Sequence, residues 1–319
     1  MLTLSKIASL ANVSISTASK AFSMSPEVNE ETREMIFDIA KKHGCFKKFF
    51  NAKYPRLVVA VICPEFESLY YTSILSHLQV VLEKRGCEIC VATTQFSKDR
   101  CKELVDYYSK YARVDGIILI DCASGLSAAS DVPIVCVGWA NETTTRVVMQ
   151  KRPALEQAVK HFVSNGITDI GFIGEKLTHS KEKTFREIMT EIVGSCDEKY
   201  LCIGERFASG GYDTMQKMID ENRVPRALIC AYDYLAIGAM RCLYDNGFKI
   251  PEDVAIIGMD DIPETKFLDP PLSSIDFNID DVCEAVAVKL INILMGRPYE
   301  KSTIIESTLR LRKSSEVKK

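Results

Sequence analysis

The sequence predicts an α/β protein in which a short, basic, all-helical segment precedes a body of doubly wound parallel sheets. Apolar residues recur at helical spacing through the first fifty positions, and from Leu57 onward short, uniformly apolar runs alternate with amphipathic segments. Strands that are apolar on both faces and separated by helices are typical of parallel sheets covered on both sides. A length of 319 residues is enough for two or three domains.

Three short helices are predicted in the N-terminal segment from apolar stripes and capping residues. Thr3 is placed to cap the first helix, which should end near Asn12 because asparagine tolerates the left-handed turn conformation. Ser14 and Asn29 are placed to cap the second and third helices, and Gly44 follows the third. The inward residues are Leu4, Ile7, Ala8 and Ala11; Ala18, Ala21 and Phe22; and Met35, Ile36, Ile39 and Ala40.

A tight turn between the first two helices predicts a helix-turn-helix unit, whose second helix would enter the major groove of DNA. The outward residues of that helix are Ile15, Ser16, Ser19 and Lys20. The first 56 residues carry a net charge of +4 against −7 for the remainder, a pattern that favours a polyanion-binding module on an acidic body. The alternatives are a helical bundle for protein contacts and a solvated basic helix end.

Seven strands and six amphipathic helices are predicted in the body. The strands are 57–63, 88–93, 117–121, 134–137, 169–174, 227–231 and 255–258. The helices are 73–85, 98–111, 153–165, 181–193, 211–221 and 235–246. Parallel sheets of this kind bind ligands at the carboxyl ends of their strands, so the loops that follow the strands are candidate binding loops.

Aromatic and acidic side chains occupy three of those loops. Tyr70 and Tyr71 follow the first strand, and Tyr232 and Asp233 follow the sixth. Asp260 follows the seventh strand. Tyrosine rings stack on flat apolar faces such as sugar rings, and carboxylates accept hydrogen bonds from hydroxyl groups. The alternative is ordinary polar loop ends, with Asp233 capping the helix that follows it.

Catalytic, metal-binding and membrane-spanning patterns are absent from the sequence. It lacks the glycine-rich, nucleophile-elbow and zinc-protease motifs, and its four histidines are scattered. Cys87 and Cys90 have CxxC spacing without a second pair or a histidine cluster, so reduced core cysteines are favoured over a redox or metal site. We therefore expect no catalytic residue, no metal and no cofactor. Without a long apolar run or a secretory signal, we expect a cytoplasmic protein that does not contact the membrane.

Residues 3–23, TLSKIASLANVSISTASKAFS, and 25–33, SPEVNEETR, strongly resemble the headpiece of the LacI/GalR family of bacterial transcriptional regulators. The resemblance implies that Ile15, Ser16 and Lys20 read base edges. The further DNA contacts expected on the headpiece, most of them to phosphates, are Thr3, Ser5, Ser14, Thr17 and Ser19. Lysine stands at position 20 where the family usually has arginine, so this contact is a point charge rather than a bidentate fork.

A hinge that inserts a wedge into the minor groove follows the headpiece in this family. The corresponding residues here, 45–56, form a shorter segment that lacks the usual hinge motif. The resemblance leaves Lys53 as a phosphate contact and Tyr54 as the wedge. Phe46, Phe49 and Phe50 are interpreted as a docking patch rather than as DNA contacts.

Further stretches that resemble the family span the body, at 114–119, 170–174, 232–239, 250–262 and 268–272. They imply a periplasmic-binding-protein-like pair of lobes crossed three times by the chain, a small-molecule effector bound between the lobes, and a homodimer on operator DNA. The expected domains are a headpiece at 1–44, a hinge at 45–56, and an effector-binding and dimerisation domain at 57–319. Within the last, the N-lobe is expected at 57–147 plus 278–303 and the C-lobe at 148–277 plus 304–319.

The family's sugar-binding residues are poorly kept in this chain. Lys181 stands where a clasping arginine is usual, Gly138 replaces an aspartate, and Phe277 replaces a glutamine. The expected effector-binding residues are Tyr70, Tyr71, Lys181, Tyr232, Asp233, Asp260 and Phe277. The resemblance predicts a DNA-binding repressor whose effector is a sugar or a related, for example phosphorylated, metabolite. A small-molecule-binding protein without DNA function and a doubly wound enzyme are the alternatives.

Overall fold

A computed structural model describes residues 2–23, 25, 27–50, 57–112, 114–121, 132–138 and 144–317, apart from the side chain of Lys47. The chain forms two units, Met1–Val148 with Ile279–Ile304 and Met149–Asn278 with Ile305–Lys319. The backbone therefore passes from one unit to the other three times. The expected hinge residues Lys53 and Tyr54 lie outside the described residues.

The N-terminal segment begins with three helices that follow the predicted pattern. They are α1 (Leu4–Leu10), α2 (Ile15–Phe22) and α3 (Glu30–Lys42). Each predicted cap is confirmed, because the side chains of Thr3, Ser14 and Asn29 accept hydrogen bonds from backbone N–H groups in the first turns. Asn12 and Gly44 have the left-handed φ values of 54° and 62° that let the chain leave α1 and α3.

A fourth short helix, α4 (Phe46–Phe49), was not predicted. Its phenylalanines and Phe50 pack on Phe22 of α2 and Phe37 of α3, with ring centroids 4.7–6.0 Å apart. The predicted docking patch therefore faces the chain's own headpiece. These aromatic contacts enlarge the small core that α1, α2 and α3 form by themselves.

The remaining elements alternate between strands and helices. The strands are β1 (Leu57–Cys63), β2 (Cys87–Thr93), β3 (Gly116–Ile120), β4 (Ile134–Val137), β5 (Thr145–Gln150), β6 (Ile170–Glu175), β7 (Leu201–Gly204), β8 (Ala227–Cys230), β9 (Ala255–Met259), β10 (Ser273–Asp276), β11 (Ser302–Glu306) and β12 (Thr308–Arg310). The helices are α5 (Leu69–Glu83), α6 (Lys98–Lys110), α7 (Arg152–Ser164), α8 (His179–Ile192), α9 (Phe207–Asp220), α10 (Asp233–Asp245) and α11 (Ile279–Leu294).

Two six-stranded sheets form the body, one for each unit. Their strand orders are β11-β5-β4-β3-β1-β2 and β12-β10-β9-β8-β6-β7. The pairs β1–β2, β1–β3, β3–β4 and β4–β5 are parallel, as are β6–β7, β6–β8, β8–β9 and β9–β10, and β12 adds antiparallel to β10. The predicted doubly wound parallel sheets are therefore confirmed.

Most of the predicted strands are largely buried, and their apolar sequences explain why they were predicted. β3 and β8 are buried at every position. The prediction missed β5, β10, β11 and β12, whose sequences mix polar residues with apolar ones, and β7, which is apolar but only partly buried. It also missed α11. Within the described ranges, no helix is long and apolar enough to span a membrane.

Candidate functional site: DNA-binding face and ligand-binding residues

The exposed face of α2 carries the predicted base-reading residues. Ala18, Ala21 and Phe22 are buried on its other side, so the apolar stripe determines which face of α2 is exposed. Ile15 is 53% exposed on this otherwise polar face. A thymine methyl group is the kind of partner that such a side chain contacts in the major groove.

The polar side chains of this face differ in their hydrogen bonds within the protein. The hydroxyl of Ser14 accepts a 2.9 Å hydrogen bond from Thr17 N and lies 2.8 Å from Thr17 Oγ1. Ser16 and Ser19 are exposed, as are Thr3 and Ser5 at the start of α1. The ammonium of Lys20 donates to the carboxylate of Glu27 at 2.5 Å. Serine hydroxyls and a lysine ammonium are groups that commonly bind phosphates and base edges.

Five of the predicted effector residues belong to the second unit, and three of them contact one another there. Lys181, on α8, donates to the carbonyl of Ala231 at 2.7 Å and lies 3.5 Å from Asp260 Oδ1. Its ammonium also lies 5.1 Å from the ring centroid of Phe277, a cation–π distance. The carboxyl ends of β8, β9 and β10 therefore bring together a cation, a carboxylate and an aromatic ring.

Asp260 sits in an uncommon environment for a carboxylate. Its side chain is 10% exposed, and its φ of 101° lies in a region that costs energy for residues other than glycine. Burial raises the pKa of Asp260 to about 6, and the neighbouring ammonium of Lys181 opposes that rise. The backbone turn is held by the next residue, Asp261, which pairs with Arg312 at 2.6 Å.

Tyr232, the fourth residue, connects to a part of the site that sequence reasoning missed. Its hydroxyl oxygen accepts a 2.9 Å hydrogen bond from the backbone N–H of Phe207, and burial raises its pKa to about 12. Phe207 has a φ of 64°, rare for a bulky side chain, and its ring lies 4.5 Å from the guanidinium of Arg206. The helices α9 and α10 pack closely, since a Cβ built on Gly211 would lie only 2.2 Å from Leu235 O. This packing brings Phe207 and Tyr232 together. No local motif marks Phe207, since its position depends on this packing.

Asp233 does not have the exposed position expected of a ligand-binding residue. It is 1% exposed and accepts hydrogen bonds from Ser274 Oγ at 2.6 Å and Ile262 N at 2.9 Å. Asp233 is not the helix cap, because it is the first residue of α10, after the N-cap Tyr232. Its carboxylate instead joins α10 to β10 and to the loop that follows β9. Burial raises its pKa well above the usual range. Its role in effector binding stays a prediction.

Tyr70 and Tyr71 lie in the first unit, at the start of α5. Their rings are 5.0 Å apart, and Tyr71 also contacts Phe96 at 6.4 Å. Phe96, which was not predicted, follows β2 with a φ of 60°. These aromatic residues lie at the carboxyl ends of β1 and β2, where parallel sheets bind ligands.

Asp121 lies beside Gly138, the glycine that stands where the family usually has an aspartate. It follows β3, and a Cβ built on Gly138 would lie 2.1 Å from its Oδ1 atom. A side chain at position 138 would therefore collide with the carboxylate of Asp121. Among the described residues, no three histidine, cysteine, aspartate or glutamate side chains converge as a metal site.

Two family models match the chain. The model described as "Bacterial regulatory proteins, lacI family" matches residues 3–45, which cover α1–α3. The model described as "Periplasmic binding protein-like domain" matches residues 159–315, which cover most of the second unit.

Similar proteins match along nearly the whole chain. The repressor PurR of Histophilus somni strain 129Pt is 26% identical, with 94% of this chain and 93% of the relative covered. The probable repressor ExuR of Bacillus subtilis strain 168 is 25% identical, with 97% and 96% covered.

Solved structures share the same fold. A lac repressor dimer bound to operator and the anti-inducer ONPF has a TM-score of 0.76 at 19% identity, and the match covers 98% of this chain and 99% of that one. A complex of the regulator CelR with cellobiose has a TM-score of 0.69 at 24% identity, with 99% and 100% covered. With both family models and relatives of matching length, the chain belongs to the LacI/GalR family of bacterial transcriptional regulators.

Proposed function

We propose that the protein is a sequence-specific DNA-binding transcriptional repressor that acts as a homodimer in the cytoplasm and is controlled by a small-molecule effector. The observation that carries the proposal is the capped helix α2, which exposes Ile15, Ser16, Ser19 and Lys20 on one face. Relatives named as repressors and the match to the lacI-family model support it. A dimer is favoured because two-fold operators match two-fold proteins.

The proposed DNA contacts lie on that face and at the start of α1. Ile15, Ser16 and Lys20 are proposed to contact base edges. The residues proposed to contact the DNA around them are Thr3, Ser5, Ser14, Thr17 and Ser19. Lys53 as a phosphate contact and Tyr54 as a minor-groove wedge remain predictions, as do the boundaries 1–44, 45–56 and 57–319.

The effector contacts are proposed at Lys181, Tyr232, Asp260 and Phe277 in the second unit. Their contacts at the strand ends support this assignment. Tyr70 and Tyr71 in the first unit are further candidates. One cation, one carboxylate and several aromatic rings suit a sugar or a related metabolite, phosphorylated or not.

Selection of genomic DNA fragments with the purified protein tests this function. We expect a pseudo-palindromic site whose log affinity falls linearly with log salt concentration. Lys20→Ala should weaken binding to that site by about 1–3 kcal/mol, which is about five- to 150-fold. Lys110→Ala, which removes an exposed lysine from the body, is the matched control and should change affinity little. Effector binding without any duplex preference would favour the small-molecule-binding alternative.

A further inference from the structure

We propose that Glu27 is a specificity-determining residue of the headpiece, which makes Lys20 a positioned hydrogen-bond donor rather than a free cation that seeks phosphates. The inference rests on the proposed DNA-binding function and goes beyond it. No contact of Glu27 was expected from the sequence.

The ion pair between Lys20 and Glu27 contributes little to the fold. The two side chains are 44% and 66% exposed, and exposed pairs of this kind typically stabilise proteins by about 0–1 kcal/mol. Its effect on charge is larger, because Lys20 is the one charged residue in the sequence of α2. With Glu27 at 2.5 Å, the helix face that would meet DNA carries a dipolar pair instead of a net positive charge.

The turn that carries Glu27 is anchored on both sides, so the carboxylate is held near the end of α2. Arg33, a side chain only 12% exposed, donates to Ser25 O at 3.0 Å and to Val28 O at 2.7 Å. Ser25 N in turn donates to Lys20 O at 2.9 Å. The position of Glu27 relative to Lys20 therefore depends on buried and backbone contacts rather than on the ion pair alone.

Lys20 keeps the capacity to bind DNA while it is paired. An ammonium has three donors, and the bond to Glu27 uses one of them. Guanine presents two adjacent acceptors, O6 and N7, in the major groove. An ammonium held at a fixed place can reach these acceptors at the correct base pair without leaving Glu27.

Non-specific binding responds differently to the pair. It arises from attraction between cations and phosphates, and each neutralised phosphate adds about 0.9 to the salt slope. The carboxylate of Glu27 offsets the attraction between Lys20 and DNA phosphates. The phosphates also repel this carboxylate. Glu27 therefore weakens binding to arbitrary DNA, while at the operator its positioning of Lys20 offsets part of that loss.

The test compares a selected operator duplex with a scrambled duplex of the same length, using the full chain over a range of salt concentrations. The variants are Glu27→Gln, Glu27→Ala, Lys20→Ala and the double variant Lys20→Ala/Glu27→Gln. Glu31→Gln is the matched control, because it removes one exposed carboxylate from the first turn of α3.

Glu27→Gln should lower the ratio of operator to scrambled affinity by about two- to fivefold relative to Glu31→Gln. It should also steepen the salt slope on scrambled DNA by about 0.9. Glu27→Ala, which removes the acceptor as well, should lower the ratio further. In the Lys20→Ala background the effect of Glu27→Gln on the ratio should disappear.

Equal ratios and slopes for Glu27→Gln and Glu31→Gln would overturn the inference while leaving the proposed function intact. A gain in operator affinity as large as the gain on scrambled DNA would also overturn it. If the unmodified protein has no preference for any duplex, the proposed function fails and the inference fails with it.

Discussion

At the scale of single residues, the cluster of Lys181, Asp260 and Phe277 contains a carboxylate whose burial costs stability. Asp260 is nearly buried, its backbone has a left-handed φ, and its pKa is raised to about 6. A charged group in such a place is expected where function requires it, because selection for binding tolerates a local loss of stability. The pairing of Asp260 with Lys181 fits a site that binds a polar effector.

The raised pKa of Asp260 leads to a prediction about stability and pH. The folded state binds this proton more tightly than the unfolded state, so the free energy of unfolding should fall as pH rises from about 4 to about 6, by at most about 1.4 kcal/mol per pH unit for one proton. Asp260→Asn should then be more stable than the unmodified protein at pH 7 by about 1–3 kcal/mol, with the difference shrinking toward pH 4.

Urea unfolding of both proteins at several pH values measures this difference. Asp99→Asn, at an exposed aspartate of α6, is the control for loss of a surface charge. A stability difference that does not change between pH 4 and pH 7 would contradict the prediction.

At the scale of elements, the headpiece helices depend on side-chain caps because they are short. α1 has seven residues and α2 has eight, so backbone N–H groups without helical partners form a large share of each helix. Ser14 satisfies one of those groups in α2. The recognition helix therefore owes part of its stability to a residue that is also a candidate phosphate contact.

Ser14→Ala should destabilise the headpiece by about 1 kcal/mol, because Thr17 N loses its acceptor. Hydrogen exchange of the α2 amides in the full chain measures the loss as faster exchange. Ser9→Ala, at an exposed position within α1, should leave exchange unchanged or slow it, since alanine favours helices. Equal exchange in the two variants would show that the cap bond contributes nothing.

At the scale of the molecule, the headpiece contacts the body of the first unit directly. Lys41 at the end of α3 pairs with Asp115 at 2.6 Å, and Asp115 also accepts a 2.8 Å bond from Val58 N of β1. A Cβ built on Gly44 would lie 2.8 Å from the carbonyl oxygen of Met295, just after α11. The turn after α3 is thus packed against the body by contacts that need no hinge residue.

Gly44→Ala should therefore disturb more than its own turn. Alanine at a left-handed φ costs about 1–2 kcal/mol in itself, and its Cβ would also push against Met295 O. Gly86→Ala is the matched control, because Gly86 has a φ of 79° and no atom within 4 Å of the built Cβ. Hydrogen exchange near residues 41–46 and 293–297 should rise in the first variant and not in the second. Unchanged exchange in Gly44→Ala would mean that this contact does not hold the headpiece.

Much of the architecture could be predicted because it depends on local patterns. The bounds of β1 and β4, and the caps Thr3, Ser14 and Asn29, agree with those expected from the sequence. The strands β5, β10, β11 and β12 were missed because polar residues interrupt their apolar pattern. Lys181 and Phe277 were expected from the resemblance to the family rather than from any local signal.

The sequence by itself determined the helix-turn-helix, the parallel sheets and the family, since capping residues and apolar periodicity act over a few positions. Only the tertiary structure decided which partner each polar group contacts. Asp233 and Asp260 both follow apolar strands, yet one is bound internally by Ser274 and Ile262 while the other pairs with Lys181. The pairing of Lys20 with Glu27 likewise depends on a turn held by Arg33. Such contacts depend on which distant segments of the chain meet in the fold, and the local sequence around each residue does not specify this.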